Sequence, residues 1–278
     1  MTQILSLGYS TCPNDTYIFH AMTHGLVGCG SVRFEPTLKD VETLNQEARY
    51  QTLDVTKLSF AVIGQLRDAY GLLRSGAALG RGCGPLIVAR PGSGLSGIAS
   101  SRVAVPGLWT TANLLLGLYL SVHPKVEPIP FDRIMSAVAK GVFDYGVIIH
   151  EGRFTFESYG LVDLLDLGQW WEDETGLPIP LGGIAIRREL GPLTAEKVET
   201  TIRESVQYAF DHPEASRSHV KTCAQEMTDD VIDQHIALYV NDDSVSIGEE
   251  GVAAIEMLFK RGREAGMTPK SGMPLFAC

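Results

Sequence analysis

The strongest constraint on the fold of this chain is a regular alternation of strand-like and helix-like segments. In its first third, three strand patterns are each followed by a helical pattern, at 4–9 and 16–23, at 32–38 and 41–50, and at 55–60 and 61–70. Strands that alternate with helices are typical of α/β proteins, in which crossover helices join parallel strands. We therefore predict an α/β fold with mixed, mostly parallel sheets.

A glycine-rich break, PGSGLSG at 91–97, divides this alternation into two runs. Strand patterns resume beyond it at 103–105, 126–128, 145–149 and 181–186, and four helical patterns fill the chain from about residue 193. We predict two lobes with a ligand cleft between them: lobe I from residues 1–97 and 187–278, and lobe II from residues 98–186. Ligands of open α/β sheets bind beyond the carboxyl ends of strands, so functional residues are expected there.

Composition excludes several classes of protein. Hydrophobic residues make up 45% of the 278 residues, which is enough for a sizeable core. The net charge of −10 argues against nonspecific binding to nucleic acid or to an anionic membrane. No apolar run approaches the roughly 18 residues of a membrane helix, and the N-terminal segment lacks the basic region of a signal peptide. A cytoplasmic protein is expected. The five cysteines include no CxxC pair and predict neither a disulfide framework nor a zinc site.

Two strand ends in the predicted lobe I carry polar side chains. The segment STCPNDT at 10–16 reads either as an ordinary capped turn or as backbone and side-chain donors that hold a polar ligand. Lys57 and Ser59 share one face of an otherwise apolar strand. A lysine there must meet water, a partner carboxylate or a ligand.

Two further strand ends lie in the predicted lobe II. Thr110 and Thr111 stand between a strand and a helix, where hydroxyl and backbone N–H donors suit a carboxylate or phosphate. The alternative is a helix cap, which accounts for one of the two threonines. His150 closes an apolar strand. A neutral imidazole there suits a general base, because its ordinary pKa of about 6.5 is near working pH; the alternative is an interior histidine with a structural role.

The other sequence features are weaker indications of a functional site. The glycine cluster GRGCG at 80–84 is not a phosphate-binding loop, because no GK[ST] follows it. His20 and His24 have the spacing of a helical metal pair but no evident third ligand. Trp170 and Trp171 either cover the cleft or place one indole in the core. The remaining histidines are predicted to lie on the surface; they are His123, His212, His219 and His235.

Seven segments, taken together and in order, resemble the 1,4-dihydroxy-6-naphthoate synthase family of the futalosine route to menaquinone. They are GYSTCPNDTYIFHAM, LKDVETLN, VTKLS, RSGAALGRGCGP, VAVPGLWTTANLLL, GVIIHEGRFTF and DLGQWWEDETGLPIPLG. The resemblance runs from about residue 5 to residue 250. It implies a two-lobed fold similar to type II periplasmic binding proteins. It also implies a lyase that converts cyclic dehypoxanthine futalosine to 1,4-dihydroxy-6-naphthoate with no metal and no cofactor.

The resemblance also implies roles for individual residues. The histidine of the IIHE segment, here His150, is the family's proposed base. The substrate contacts of the family correspond here to Lys57, Leu58 and Ser59, to Thr110 and Thr111, and to Asn45 and Asp15. Cys83 stands where another small residue is expected, and Trp109 is a departure within the threonine segment, so neither receives a role.

Three alternatives remain open. The first is a chorismate dehydratase, a relative in the same pathway with a similar fold. The second is a non-catalytic binding protein of the same fold, and the third is a cytoplasmic ligand sensor. A receptor needs no base, so His150 is the residue that separates catalysis from binding. The expected partner is a small carboxylated substrate, with no nucleic acid and no membrane insertion, and the sequence predicts no oligomeric state.

Overall fold

Two β-sheets, each with helices packed on it, form the framework of the molecule. The computed structural model describes residues 2–121, 125–224 and 227–278. The strands are β1 (Gln3–Tyr9), β2 (Val32–Leu38), β3 (Val55–Ser59), β4 (Tyr70–Leu72), β5 (Ala78–Gly80), β6 (Leu86–Ala89), β7 (Val103–Val105), β8 (Val126–Pro128), β9 (Tyr145–Ile148), β10 (Val162–Asp166) and β11 (Ile179–Arg187).

The α-helices follow the predicted alternation and then form a C-terminal group. They are α1 (Pro13–Thr23), α2 (Val41–Ala48), α3 (Phe60–Gln65), α4 (Thr111–Leu120), α5 (Phe131–Ala139), α6 (Gly152–Thr155), α7 (Leu167–Thr175), α8 (Pro192–Asp211), α9 (Arg217–Cys223), α10 (Asp229–Tyr239), α11 (Asp242–Val245) and α12 (Glu249–Glu264). In the described part of the chain, no helix is both long and apolar enough to cross a membrane.

The first sheet has the order β2-β1-β3-β11-β4, with β5 beside β11, and the second has the order β10-β6-β9-β7-β8. We call each sheet with its helices the first and the second lobe. The prediction of mixed α/β sheets is confirmed, but the parallel pairings are not the majority. Of the nine strand pairings in the described residues, four are parallel and five antiparallel. All five antiparallel pairings involve β6 or β11. At each of these two strands the chain enters a sheet from the other lobe and runs antiparallel to its neighbours in that sheet.

The strand pairing places the two crossings between the lobes at residues other than the predicted boundaries. The predicted lobe I, residues 1–97 and 187–278, includes β6, which pairs in the second sheet. The predicted lobe II, residues 98–186, includes most of β11, which pairs in the first sheet. The chain therefore crosses through residues 81–85 and returns through residues 167–178. The glycine-rich segment at 91–97 follows β6 as a largely exposed turn that leads into a 3-10 helix at Leu95–Ser100.

Two glycines allow the crossing segments to touch. A Cβ added to Gly84 would lie 2.3 Å from the Cα of Gly168, and a Cβ on Gly168 would lie 2.7 Å from the Cα of Gly84. Backbones this close leave no room for a side chain on either residue. The GRGCG segment therefore has a structural role at the crossing between the lobes.

The C-terminal helices complete the first lobe, as the run of helical patterns predicts. Helix α8 packs on α1, where the Ser205 hydroxyl donates to the Ile18 carbonyl (2.6 Å) and accepts from Met22 N (3.1 Å). Ile202 of α8 is fully buried in one hydrophobic cluster with Leu7 of β1. These contacts cover one face of the first sheet, and its strand ends remain available to line a cleft.

Candidate active site

Residues from both lobes line a cavity at the strand ends. It holds about 660 Å³ of space not occupied by protein atoms, part of it open to solvent. Seven of the eight predicted site residues border this cavity: Asp15, Lys57, Leu58, Ser59, Thr110, Thr111 and His150. The eighth, Asn45, is bonded to one of them.

Lys57 and Asp15 form a buried ion pair on the first-lobe side. Lys57 Nζ lies 2.8 Å from Asp15 Oδ1 and also donates to the Gly76 carbonyl (3.4 Å). Asp15 accepts in addition from the Ser10 hydroxyl (2.7 Å) and the Asn14 amide (2.9 Å). Because an ammonium has three donors, the two contacts of Lys57 leave one for a ligand in the cavity. The carboxylate partner is one of the alternatives that the sequence left open.

Asn45 and Ser59 hold each other through two hydrogen bonds. Asn45 Nδ2 donates to Ser59 Oγ (3.0 Å), and the Ser59 backbone N–H donates to Asn45 Oδ1 (3.0 Å). This pairing fixes the rotamer of Ser59 beside the cavity. Leu58 also borders the cavity, but side chains alternate along a strand, and its side chain belongs to the main core cluster.

Both threonine hydroxyls are committed to backbone groups. Thr110 caps α4: its hydroxyl accepts from Asn113 N (3.2 Å) and donates to the Gly107 carbonyl (2.8 Å). The Thr111 hydroxyl donates to the Leu181 carbonyl (2.7 Å) of the first lobe. An anion could therefore bind here at the first turn of α4, because the first N–H groups of the helix have no acceptor within it.

His150 lies just beyond β9 with a left-handed backbone, φ 56°, which is uncommon for a residue other than glycine. Its Nδ1 is 3.5 Å from Cys12 Sγ of the first lobe. Burial lowers the pKa of His150 to about 4, Asp15 opposes that shift, and Lys57 adds to it. The imidazole is thus neutral at pH 7 and able to accept a proton.

A second histidine, which the sequence analysis placed on the surface, lies behind His150. His235 of α10 is fully buried, and its ring stacks on His150 with centroids 6.1 Å apart. Burial, followed by the charge that His150 would carry, lowers the pKa of His235 well below its ordinary value. The His235 ring also contacts Tyr239, which borders the cavity (4.6 Å between centroids). Ile232, His235 and Tyr239 repeat at helical spacing, and this apolar stripe is the sequence signal that points to burial.

The tryptophan pair and Cys83, which the sequence analysis also considered, are held by packing contacts. Trp171 is fully buried and its Nε1 donates to the Pro178 carbonyl (3.0 Å), so one indole of the tryptophan pair does pack inward. Trp170 packs edge-on against Tyr119. Cys83 borders the cavity as a thiol whose pKa is raised to about 12 by burial.

The histidine pair of α1 has a third neighbour. The His219 ring, predicted on the surface, is half-buried and lies 4.7 Å from that of His24 and 5.5 Å from that of His20. Among the described residues, no three His, Cys, Asp or Glu side chains are arranged to hold a metal ion. His212 is exposed, as predicted, and His123 lies outside the described residues.

Solved structures with the same fold include proteins that bind small molecules. A crystal structure of a protein from Archaeoglobus fulgidus superposes with a TM-score of 0.89 at 35% identity, covering 95% of this chain and 98% of that one. The alkanesulfonate-binding protein SsuA from Xanthomonas axonopodis pv. citri, bound to MOPS, superposes with a TM-score of 0.71 at 12% identity, covering 96% and 94%. The second likeness concerns the fold alone. It confirms the expected two-lobed architecture of periplasmic binding proteins.

Sequence comparison identifies the family. The family model described as menaquinone biosynthesis matches residues 5–264. A protein from Thermus thermophilus named 1,4-dihydroxy-6-naphtoate synthase is 50% identical over 275 residues, 99% of either chain. A protein of the same name from Streptomyces coelicolor is 44% identical over 273 residues, 96% of either chain. The chain therefore belongs to the menaquinone biosynthesis family.

Proposed function

We propose that this chain is a 1,4-dihydroxy-6-naphthoate synthase, a carbon–carbon lyase that acts on cyclic dehypoxanthine futalosine. The observation that carries the proposal is a neutral, half-buried His150 just beyond the end of β9. It borders a cavity lined by polar groups of both lobes. A receptor of this fold has no use for such a base. The names of two relatives that match nearly the whole chain support the proposed product.

The proposed binding mode uses three groups around the cavity. The substrate's aromatic carboxylate lies at the first turn of α4, where N–H groups that have no acceptor within the helix and the helix dipole favour negative charge. The remaining donor of Lys57 and the fixed hydroxyl of Ser59 contact the other polar groups of the substrate. Because the Asp15 carboxylate already neutralises Lys57, the ammonium orients an oxygen without adding net charge to the site.

His150 then removes a proton from the bound substrate. The electron pair of the deprotonated bond forms a new π bond as the carbon–carbon bond to the sugar-derived part breaks heterolytically. The electron pair of the broken bond then takes up a proton, which the protonated His150 can return, so the two products together have the atoms of the substrate. Formation of an aromatic dihydroxynaphthalene supplies the driving force, so the step needs no redox partner. The protein contributes a neutral base in a shielded site and a fixed substrate orientation.

The test is incubation of the purified protein with cyclic dehypoxanthine futalosine, with product identified by mass spectrometry. We expect 1,4-dihydroxy-6-naphthoate to form in the presence of EDTA and without added nucleotide. His150→Ala should lower kcat by at least about a hundredfold, the usual contribution of a general base. The exposed His212→Ala is the matched control and should retain full activity.

Two outcomes would overturn the proposal. Tight binding of the substrate without product would assign the chain to the binding proteins of this fold. Turnover of chorismate in place of the futalosine derivative would assign it to the dehydratase alternative. Unchanged turnover in His150→Ala would remove that residue from the role of base.

A further inference from the structure

Trp109, which has no role in the proposed reaction, is held by one face of α2. The Trp109 backbone N–H donates to the Glu42 carboxylate (3.2 Å to Oε2), and Asn45 Nδ2 donates to the Trp109 carbonyl (3.5 Å). The guanidinium carbon of Arg49 lies 4.1 Å from the centroid of the indole ring. Residues 42, 45 and 49 are spaced i, i+3 and i+7. Arg49 is the C-cap of α2 and keeps helical backbone angles, so the three lie on the same side of the helix.

These contacts join the two lobes. Helix α2 packs on β1 and β3 of the first sheet, and Trp109 lies between β7 and α4 of the second lobe. Glu42 is buried and also accepts from the Gln46 amide (3.2 Å). A Cβ on Gly107, whose φ is +159°, would lie 2.2 Å from Glu42 Cδ, so the carboxylate rests directly on the backbone of the second lobe.

The same contacts reach the cavity from both sides. Trp109 immediately precedes Thr110 and Thr111, where α4 begins, and Asn45 is bonded to Ser59 as well as to Trp109. Holding the lobes together also preserves the contact between Cys12 of the first lobe and His150 of the second. Displacement of Trp109 from α2 would therefore move the anion-binding end of α4 away from Lys57 and Ser59.

We propose that Glu42, Arg49 and Trp109 form a clasp that holds the lobes closed and positions the start of α4 for the substrate. Glu42 and Arg49 are positioning residues that act through Trp109. The consequence for the reaction rests on the proposed function, whereas the effect on lobe closure does not. Breaking the clasp lowers the closed fraction of the free protein, and a bound substrate restores closure because it contacts both lobes.

The first measurement is small-angle X-ray scattering of the protein without ligand. We expect Trp109→Ala and Arg49→Ala to increase the radius of gyration relative to the unmodified chain. Arg49→Lys, which keeps a cation over the ring, should restore most of the compaction. Arg102→Ala is the matched control, because the Arg102 guanidinium lies 4.8 Å from the Phe143 ring of the second lobe, and its hydrogen bonds among the described residues go to Val142 and Glu127 of the same lobe. Circular dichroism verifies that each variant is folded.

The second measurement is steady-state kinetics. We expect Trp109→Ala and Arg49→Ala to raise KM for the futalosine substrate by about tenfold and to change kcat by less than about threefold, since saturating substrate closes the lobes. Because Arg49 acts through Trp109, the double variant should have the KM of Trp109→Ala alone. A general loss of stability would lower kcat and would add in the double variant.

Three results would overturn the clasp: a radius of gyration that does not change, effects equal to those of Arg102→Ala, or additive increases in KM. Because the scattering is measured without ligand, it tests the clasp even if the substrate proves to be a different molecule.

Discussion

At the scale of single residues, the neighbours of His150 determine which of its ring nitrogens is available to a substrate. Nδ1 faces Cys12 Sγ at 3.5 Å, and burial raises the pKa of that thiol, so the sulfur stays protonated and uncharged. A base needs a free lone pair on the nitrogen that faces the substrate. If Nδ1 carries the hydrogen and donates it to the sulfur, the lone pair is on Nε2.

This arrangement predicts a measurable role for Cys12. Cys12→Ala removes the acceptor that selects the tautomer, and since such a hydrogen bond contributes about 1 kcal/mol, kcat should fall roughly fivefold. Cys12→Ser keeps an acceptor and should lose less activity. The exposed Cys278→Ala is the control for thiol removal. Equal activity of Cys12→Ala and the unmodified chain would exclude tautomer selection by the sulfur.

The sequence predicted residues that the structure brings to one cavity. The parallel neighbours β7 and β9 place Thr110 and His150 at the same edge of the second sheet, and Lys57 of β3 borders the cavity from the first sheet. His235 was missed because its position depends on how α10 packs on the rest of the molecule, about 85 residues after His150 in the sequence. Cys12 was missed because its partner lies across the cleft, and nothing in the STCPND segment indicates that contact.

At the scale of elements, long periodic segments were predicted better than short ones. Helices α8, α10 and α12 and strands β1 and β3 lie where the periodicity places them. Strands β4 and β5, of three residues each, and β10 were missed, although the equally short β7 and β8 were predicted. The crossing points were misplaced because a run of glycines marks an exposed turn as readily as a connection between lobes.

The contact between the crossing segments predicts an unusually costly glycine substitution. Gly84→Ala would place a Cβ 2.3 Å from the backbone of Gly168, so the two segments must separate, at a cost of about 1–3 kcal/mol in the free energy of unfolding. Gly94→Ala is the control, because its added Cβ meets no atom within 4 Å and its φ is −127°. Urea denaturation measures both. A Gly84→Ala variant as stable as Gly94→Ala would contradict the close approach.

At the scale of the whole molecule, two buried histidines and the half-buried His150 make stability depend on pH. Burial lowers the pKa of His20 and His150 to about 4 and that of His235 well below its ordinary value. Between pH 6.5 and 4 the unfolded chain binds protons that these folded side chains do not. Their depressed pKa values therefore make the folded state less stable as the pH falls.

We expect the melting temperature to fall by several degrees as the pH is lowered from 7 to 4.5. Burial raises the pKa of Asp40 and Glu42, which opposes this trend, so a variant is needed to isolate the histidines. His235→Phe keeps the ring packing and removes a titrating group, and it should lose less stability on acidification than the unmodified chain. His212→Phe should not change the slope. Identical slopes for the two variants would contradict the burial of a neutral His235.

The order of strands in the first sheet has a consequence for synthesis of the chain. Strand β11, which lies between β3 and β4, is made about 100 residues after them, and α8 to α12 are made later still. The strands of the second sheet, by contrast, all lie within residues 86–166. On the ribosome, the second lobe therefore has all its strands while the first still lacks an interior one. The N-terminal segment that carries Asp15 and Lys57 therefore lacks the neighbouring strand β11 and the C-terminal helices until the rest of the chain has been synthesised.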